Sequence, residues 1–527
     1  VQTCALPIWT HGRGLCGGVG HVSWHASQHR STGAHRGVAD WIFPDLSGGT
    51  FPHRCTGRSG DRMRGRICGL EADGREAPMR KCEKARDFNS GSVLSNILYF
   101  SLPYLLSYFL QTLYGMADLF IIGQFDGTAA TTAVSLGSQV MHMLTVILVG
   151  LAMGTTVSIG QAVGARDKKR AGEAIGNTVV LFLGVSVALM VLLTVLVRPI
   201  VALISTPEEA VAGTIQYLTI CFIGIPFITA YNVISSIFRG LGDSKSPMYF
   251  IAIACGVNIV LDYLFMGAFH MGPAGAALGT TLSQTVSVLI AFWAIRRRDT
   301  GLTMKKSDLK PRGTAMGQLL RIGLPVAMQD GLIQVSFILI TVIANRRGLT
   351  DAAAVGIVEK IISFVFLVPS SMLSTVSALC AQNIGAGEEE RARKTLRYAI
   401  FIATGFGLFM AVLVQFIANP AVGLFSKDAA VVMQGGWYFR GYIFDCMFAG
   451  IHFSFSGYFC ACGRSELSFL HNIAAIVLVR VPGAYLMSRL FPMSLLPMGL
   501  ATAVGSLLSV MICTIAYGWL KKGTQNG

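Results

Sequence analysis

Charge is what this 527-residue chain has least of, at 13% Asp, Glu, Lys and Arg, where a soluble globular domain carries roughly 25%. With 53% hydrophobic residues, most of the chain has no water-facing side to cover. Histidine is also sparse after Met79, with only His142, His270, His452 and His471, far apart in sequence. That spacing lacks the clustered His and acids of a membrane enzyme, so no catalytic residue and no enzyme activity is expected. Twelve cysteines suggest disulfides, but Cys221, Cys255, Cys380, Cys446, Cys460, Cys462 and Cys513 fall in or beside apolar stretches, where cysteine acts as a small hydrophobe. Cys460 and Cys462 have no second pair nearby, which gives no zinc spacing.

What is present is apolar sequence in long runs. Stretches of 20 or more residues recur from Ile97 to Leu520, and about 20 residues cross the ~30 Å hydrocarbon layer as a helix. They parse as spans 1 to 12 at 95–120, 130–157, 172–197, 212–237, 246–268, 274–295, 318–344, 354–380, 395–418, 433–459, 468–490 and 496–520. The expected fold is therefore an all-α polytopic membrane protein of 12 transmembrane helices, in two pseudo-symmetric six-helix lobes around a central cleft. The net charge of +15 sits mainly in alternate loops, at Arg166, Lys168, Lys169, Arg170, Arg239, Lys245, Arg296 to Arg321, Arg391, Arg393, Lys394, Arg397, Arg464, Lys521 and Lys522. Alternation of this kind is a topology signal rather than a nucleic-acid footprint. It predicts a multi-pass protein of the cell membrane with both termini cytoplasmic and no nucleic-acid partner.

Residues 1–78 differ in kind, holding six of the ten His and three of the six Trp without periodicity. They are expected to be a non-native or disordered extension, with the native chain starting at or near Met79. An N-lobe at 79–295, a cytoplasmic linker at 296–317 and a C-lobe at 318–527 follow.

The halves repeat. Ser101-Leu102-Pro103 returns as Gly323-Leu324-Pro325, Gln161-Ala162-Val163-Gly164-Ala165 as Gln382-Asn383-Ile384-Gly385-Ala386, and Phe238, Gly242 and Ser244 as Phe459, Gly463 and Ser465. The last two sets share an offset of 221. A repeat of six spans preserves orientation, so the lobes should be related by an axis along the membrane normal, with the solute pathway between them. Glycines four apart (Gly150 and Gly154, Gly160 and Gly164, Gly275 and Gly279) predict close helix packing inside each half.

Acids inside a span cost roughly 2.5–3.5 kcal/mol even on a lenient scale. Asp118 lies in span 1, and Asp262 lies in span 5 four residues after Asn258, which places Asn258 and Asp262 on one helix face. Converging at similar depth, the three would make a site for H⁺ or Na⁺, the only metal expected; Asp118 could instead simply end span 1 at the interface. Pro103 removes a backbone bond and gives span 1 a bending point. Gln111, Tyr114, Asn232 and Asp445 are candidates for a substrate pocket. Glu359, beside Lys360, could snorkel from a span end, and the sequence assigns no role to Asp330 or Arg480.

From about Ser90 to Lys522 the chain resembles the multidrug and toxic compound extrusion (MATE) transporters. The motifs are the two Leu-Pro openings, YGMADLFIIGQFDG, QAVGA, QNIGAG, FRGLGDSKSP, NIVLD and GPAGAALGT, closest to the branch resembling DNA-damage-inducible F proteins. The resemblance implies a secondary antiporter that exports small, often cationic organic compounds in exchange for H⁺ or Na⁺ by alternating access. It assigns coupling to Asp118, Asn258 and Asp262, and bending to Pro103. No other cofactor is implied; the partners are small molecules and the lipid bilayer, and a monomer is expected. Gln334 stands nearest the second-lobe acid of a sister branch and cannot titrate. A flippase for lipid-linked or amphipathic substrates is the alternative within the same superfamily.

Overall fold

The computed structural model describes residue 88, residues 90–297 and residues 306–525; the expectation for 1–78 falls outside them. Among the described residues ten helices are long and apolar enough to cross a membrane, and an eleventh crossing is the pair Glu208–Ile223 and Ile225–Gly240, bent by 50°. The twelfth, Ala429–Ala461, is 33 residues long and carries Arg440 and Asp445. It is among the most enclosed spans, since spans 8, 9, 11 and 12 pack around it.

Spans 1 to 6 are Val93–Phe125, Thr128–Gly164, Lys168–Val195, the bent pair, Lys245–Ala268 and Gly272–Arg297. Spans 7 to 12 are Gly313–Asn345, Leu349–Gly385, Glu389–Gly423, Ala429–Ala461, Ser465–Leu490 and Leu496–Gln525. Span 1 continues as one helix through Pro103. Span 4 does not: Pro226 cannot donate a backbone bond, and Gly224, against Thr281, leaves no room for a side chain.

Repeated motifs adopt repeated conformations. Gly242 and Gly463 both end their turns at positive φ, +91° and +73°, where glycine carries no Cβ penalty. In the first copy, Asp243 accepts from the backbone N–H groups of Lys245 and Ser246, 3.0 Å each, and so starts span 5. The linker's second half lies along span 3, where Arg312 N–H donates to Asn177 Oδ1 (2.7 Å) and the guanidinium pairs with Glu173 (2.5 Å).

The cores show how the lobes meet. At the end bearing the basic loops, one core contains Phe100 and Tyr104 of span 1, Val157 of span 2, Ile322 of span 7, Val376 of span 8 and Phe459 of span 10. Toward the opposite end, one core draws only on residues 121–277 and another only on residues 340–498. The lobes are thus joined at the basic end and have separate cores at the other. Outside, large apolar side chains such as Val195, Phe401, Phe416 and Trp519 are mostly exposed, as a lipid-facing surface requires.

The glycine pairs of span 2 pack as expected but against a different partner. Gly150 and Gly154 sit on Ala327 and Leu319 of span 7, and Gly160 and Gly164 on Ala381 and Gln382 of span 8. They join the two lobes rather than packing within one half, because the small face of span 2 lies on the pseudo-symmetry seam. Gly275 and Gly279 do pack within the N-lobe.

Candidate functional site

Asp118, Asn258 and Asp262 are 2%, 1% and 0% exposed. Span 1 runs on for seven residues to Phe125, so Asp118 does not end it at an interface. The Asp118 carboxyl faces Asp262 and Asn258, and its Oδ2 accepts from Thr280 Oγ1 of span 6 at 3.2 Å. Asp118 Oδ1, Asn258 Oδ1 and both Asp262 carboxylate oxygens are buried without a hydrogen-bond partner among the described residues. Orphaned buried acceptors are costly, and four oxygens converging from two spans are what a proton or a hard monovalent cation would satisfy. Two neighbouring carboxyls cannot both hold a bare negative charge in so dry a place.

Local sequence builds this pocket. Gly279 is where span 6 approaches span 5: a Cβ there would overlap Asp262 Oδ1 and meet Asn258 Nδ2 at 3.7 Å. Directly after Asp262 the helix widens into a π-turn over Tyr263–Ala268, a distortion frequent at functional sites. Thr280 and Gly279 were not among the expected site residues, although both lie in the GPAGAALGT motif.

Tyr114 is half-buried one turn from Asp118 and lies close to Gln111, Tyr231 and Cys221. Asn232 is 4% exposed and donates to Ile228 O of its own helix at 2.9 Å, so its amide is used within span 4 and Tyr231 is the nearer neighbour of Tyr114. Asp445 does not line an open pocket. It is 0% exposed, its Oδ2 lies 3.7 Å from Arg480 Nη2, and Arg480 Nη2 donates to Tyr442 Oη at 2.7 Å.

Glu359 is half-buried, with its Oε1 shielded inside the helices rather than snorkelling. Its Oε2 accepts from Thr341 Oγ1 at 3.2 Å, while Lys360 is exposed. Asp445, Arg480 and Glu359 together form a buried polar cluster in the C-lobe. Arg480 stands 222 residues after Asn258, so the second lobe holds a tethered cation where the first has an amide. Asp330, half-buried in span 7, faces Gln329 and the Gly150 contact between the lobes. A hollow of about 850 Å³ along span 3, from Val180 to Val195, is an open trough lined by apolar side chains and Gly184.

Comparisons with known proteins agree with this architecture. The chain is 29% identical over 406 residues to the probable multidrug resistance protein YpnP of Bacillus subtilis, covering 77% of this chain and 91% of that one. It is 25% identical over 441 residues to the multidrug export protein MepA of Staphylococcus saprophyticus, covering 83% and 95%. A solved outward-facing multidrug resistance MATE family transporter superposes with a TM-score of 0.78 at 24% identity, covering 84% of this chain and all of that one. The MatE family model matches twice, at residues 103–264 and 325–486, an offset of 222 close to the 221 of the repeated motifs. Matched over more than half its length by that doubled pattern, and folded as two six-span lobes, the chain belongs to the MATE family of multi-pass membrane transporters.

Proposed function

We propose that the chain exports small organic compounds, many of them cationic, in exchange for H⁺ or Na⁺, by alternating access across the cell membrane. The observation that carries this reading is the pair of buried, facing carboxyls with Asn258 beside them, far from bulk water and short of partners. A cation entering between Asp118 and Asp262 neutralises their repulsion and draws spans 1, 5 and 6 together. Its departure lets them relax. Pro103 leaves one backbone acceptor of span 1 unpaired and is the place where that helix can bend as the pocket contracts, narrowing the space beside Gln111 and Tyr114 and expelling the substrate.

In this proposal the basic loops face the cytoplasm, as do both termini and the linker at 296–317, which separates the N-lobe (79–295) from the C-lobe (318–527). The seam at the basic end then closes the cytoplasmic side. The C-lobe takes no exchangeable ion in this scheme, since Arg480 already compensates Asp445. Flippase action on lipid-linked saccharides would call for free basic groups in the cleft. The buried Arg239 is instead stacked 4.4 Å over Tyr104, and Arg480 is paired.

Reconstitution into liposomes with an imposed pH or Na⁺ gradient tests the proposal. The gradient should drive uptake of an organic cation, and Asp262→Asn should abolish that uptake while the protein still inserts. Unchanged uptake by Asp262→Asn would remove the site from the mechanism.

A further inference from the structure

The two glutamines of the repeated QAVGA and QNIGAG motifs make the same hydrogen bond twice, each into the opposite lobe. Gln161 Nε2, at the end of span 2, donates to the carbonyl of Ala461 at the end of span 10, at 2.9 Å. Gln382 Nε2, at the end of span 8, donates to the carbonyl of Gly240 at the end of span 4, also at 2.9 Å. Donors and acceptors alike are 221 residues apart, so the two bonds are pseudo-symmetry mates.

The acceptors explain the geometry. Gly240 and Ala461 are the last residues of their helices, where carbonyls have no partner within the helix. Each glutamine therefore caps a helix belonging to the other lobe. The backbones beneath are equally reciprocal: Gly164 rests on the carbonyl of Gln382, and Gly385 on the carbonyl of Gln161. No side chain larger than hydrogen fits at either glycine, so the approach that brings each amide within reach depends on both.

We infer that Gln161 and Gln382 form a two-fold clasp that holds the basic-end seam shut and must release both bonds for that side to open. The inference rests on the alternating-access reading above and adds the residues that set its closed-side equilibrium. Neutral hydrogen bonds suit the task. Parted lobes would expose both amides and both carbonyls to water, so each bond biases the equilibrium only by roughly 2- to 12-fold, and the pair by roughly 5- to 140-fold. An ion pair or an apolar plug would be harder to release in every cycle.

The test reads the seam itself, in the full chain reconstituted in lipid nanodiscs, by pulsed electron spin resonance. Spin labels are attached through unnatural amino acids at the exposed positions 168 and 389, which are themselves 221 residues apart. Gln161→Met and Gln382→Met keep the side-chain volume and remove the donor. Each should raise the ratio of long to short distances by roughly 2- to 12-fold, the two by similar factors, and the double variant by roughly the product of the single effects. Gln161→Asn and Gln382→Asn keep the amide but shorten its reach, and should open the seam in the same direction should a methionine variant fail to fold. A distance distribution unchanged in the folded variants, or shifted toward the short distance, overturns the clasp. Because the measurement needs no ion gradient, a chain that opened as expected but did not exchange ions would overturn the antiport reading and leave the clasp standing.

Discussion

Replacing Gly279 by alanine would put a methyl group where the Asp262 carboxylate now lies, with Asn258 Nδ2 3.7 Å away. The atom it meets belongs to a short side chain with no hydrogen-bond partner among the described residues, so the carboxylate turns aside rather than the helices parting. Overpacking of this size costs about 1–3 kcal/mol, or roughly 5- to 140-fold in an equilibrium constant at 1.4 kcal/mol per tenfold. The loss falls on whatever needs Asp262 to face Asp118, which in this account is cation occupancy. Gradient-driven uptake into liposomes should therefore show a half-saturating cation concentration raised by that factor. The matched control is Gly256→Ala, on span 5 two residues before Asn258, where an added Cβ meets nothing within 4 Å. If Gly279→Ala and Gly256→Ala respond alike to the driving cation, the pocket is not where the ion acts.

Further outcomes follow from the same geometry. Pro103→Ala restores a backbone donor in span 1 and should slow uptake while leaving cation affinity within about twofold, read from initial rates across a cation titration. Arg480→Met strands Asp445 in the C-lobe interior and should destabilise the chain by about 3–5 kcal/mol, lowering its unfolding midpoint in detergent. Adding Asp445→Leu to that variant should recover most of the loss, and a double variant no better than the single one would contradict the pairing. Tyr442→Phe removes only the acceptor at 2.7 Å from Arg480 and should cost about 1–3 kcal/mol in the same assay. Gly154→Ala drives a methyl into the backbone of Leu319, which cannot rotate away; it should weaken lobe closure at the basic end, seen as faster proteolysis of the neighbouring loops.

Much of this fold could be read from the chain because a bilayer leaves few choices. A backbone without water must satisfy itself, so runs of about 20 apolar residues become helices wherever they occur, and the spans emerge close to their expected bounds. The bend in span 4 was written at Gly224 and Pro226 but looked like one continuous apolar run, since hydropathy averages over the break. The small faces of span 2 were visible in the spacing of four; spacing says that a helix packs closely and is silent on which helix it meets, and that partner proved to be the other lobe. Asn258 and Asp262 were legible together because four residues make one turn. Thr280 was not, because a threonine in a span normally bonds its own backbone. The cluster of Glu359, Asp445 and Arg480 draws on three spans far apart in sequence, and only packing brings a guanidinium to within 3.7 Å of Asp445. The glutamines of the repeat were conspicuous as letters, while their use as caps on the opposite lobe needed the helix ends to be seen side by side.

The claim that most needs measuring is that Asp118 and Asp262 hold the ion that is exchanged. Liposomes loaded with an organic cation, carrying a pH- or Na⁺-sensitive dye and no imposed gradient, report it directly when substrate outside is diluted away. The account predicts ion entry in step with substrate exit for the native chain, and none for the double variant Asp118→Asn with Asp262→Asn. Ion movement of native size in that double variant would contradict it.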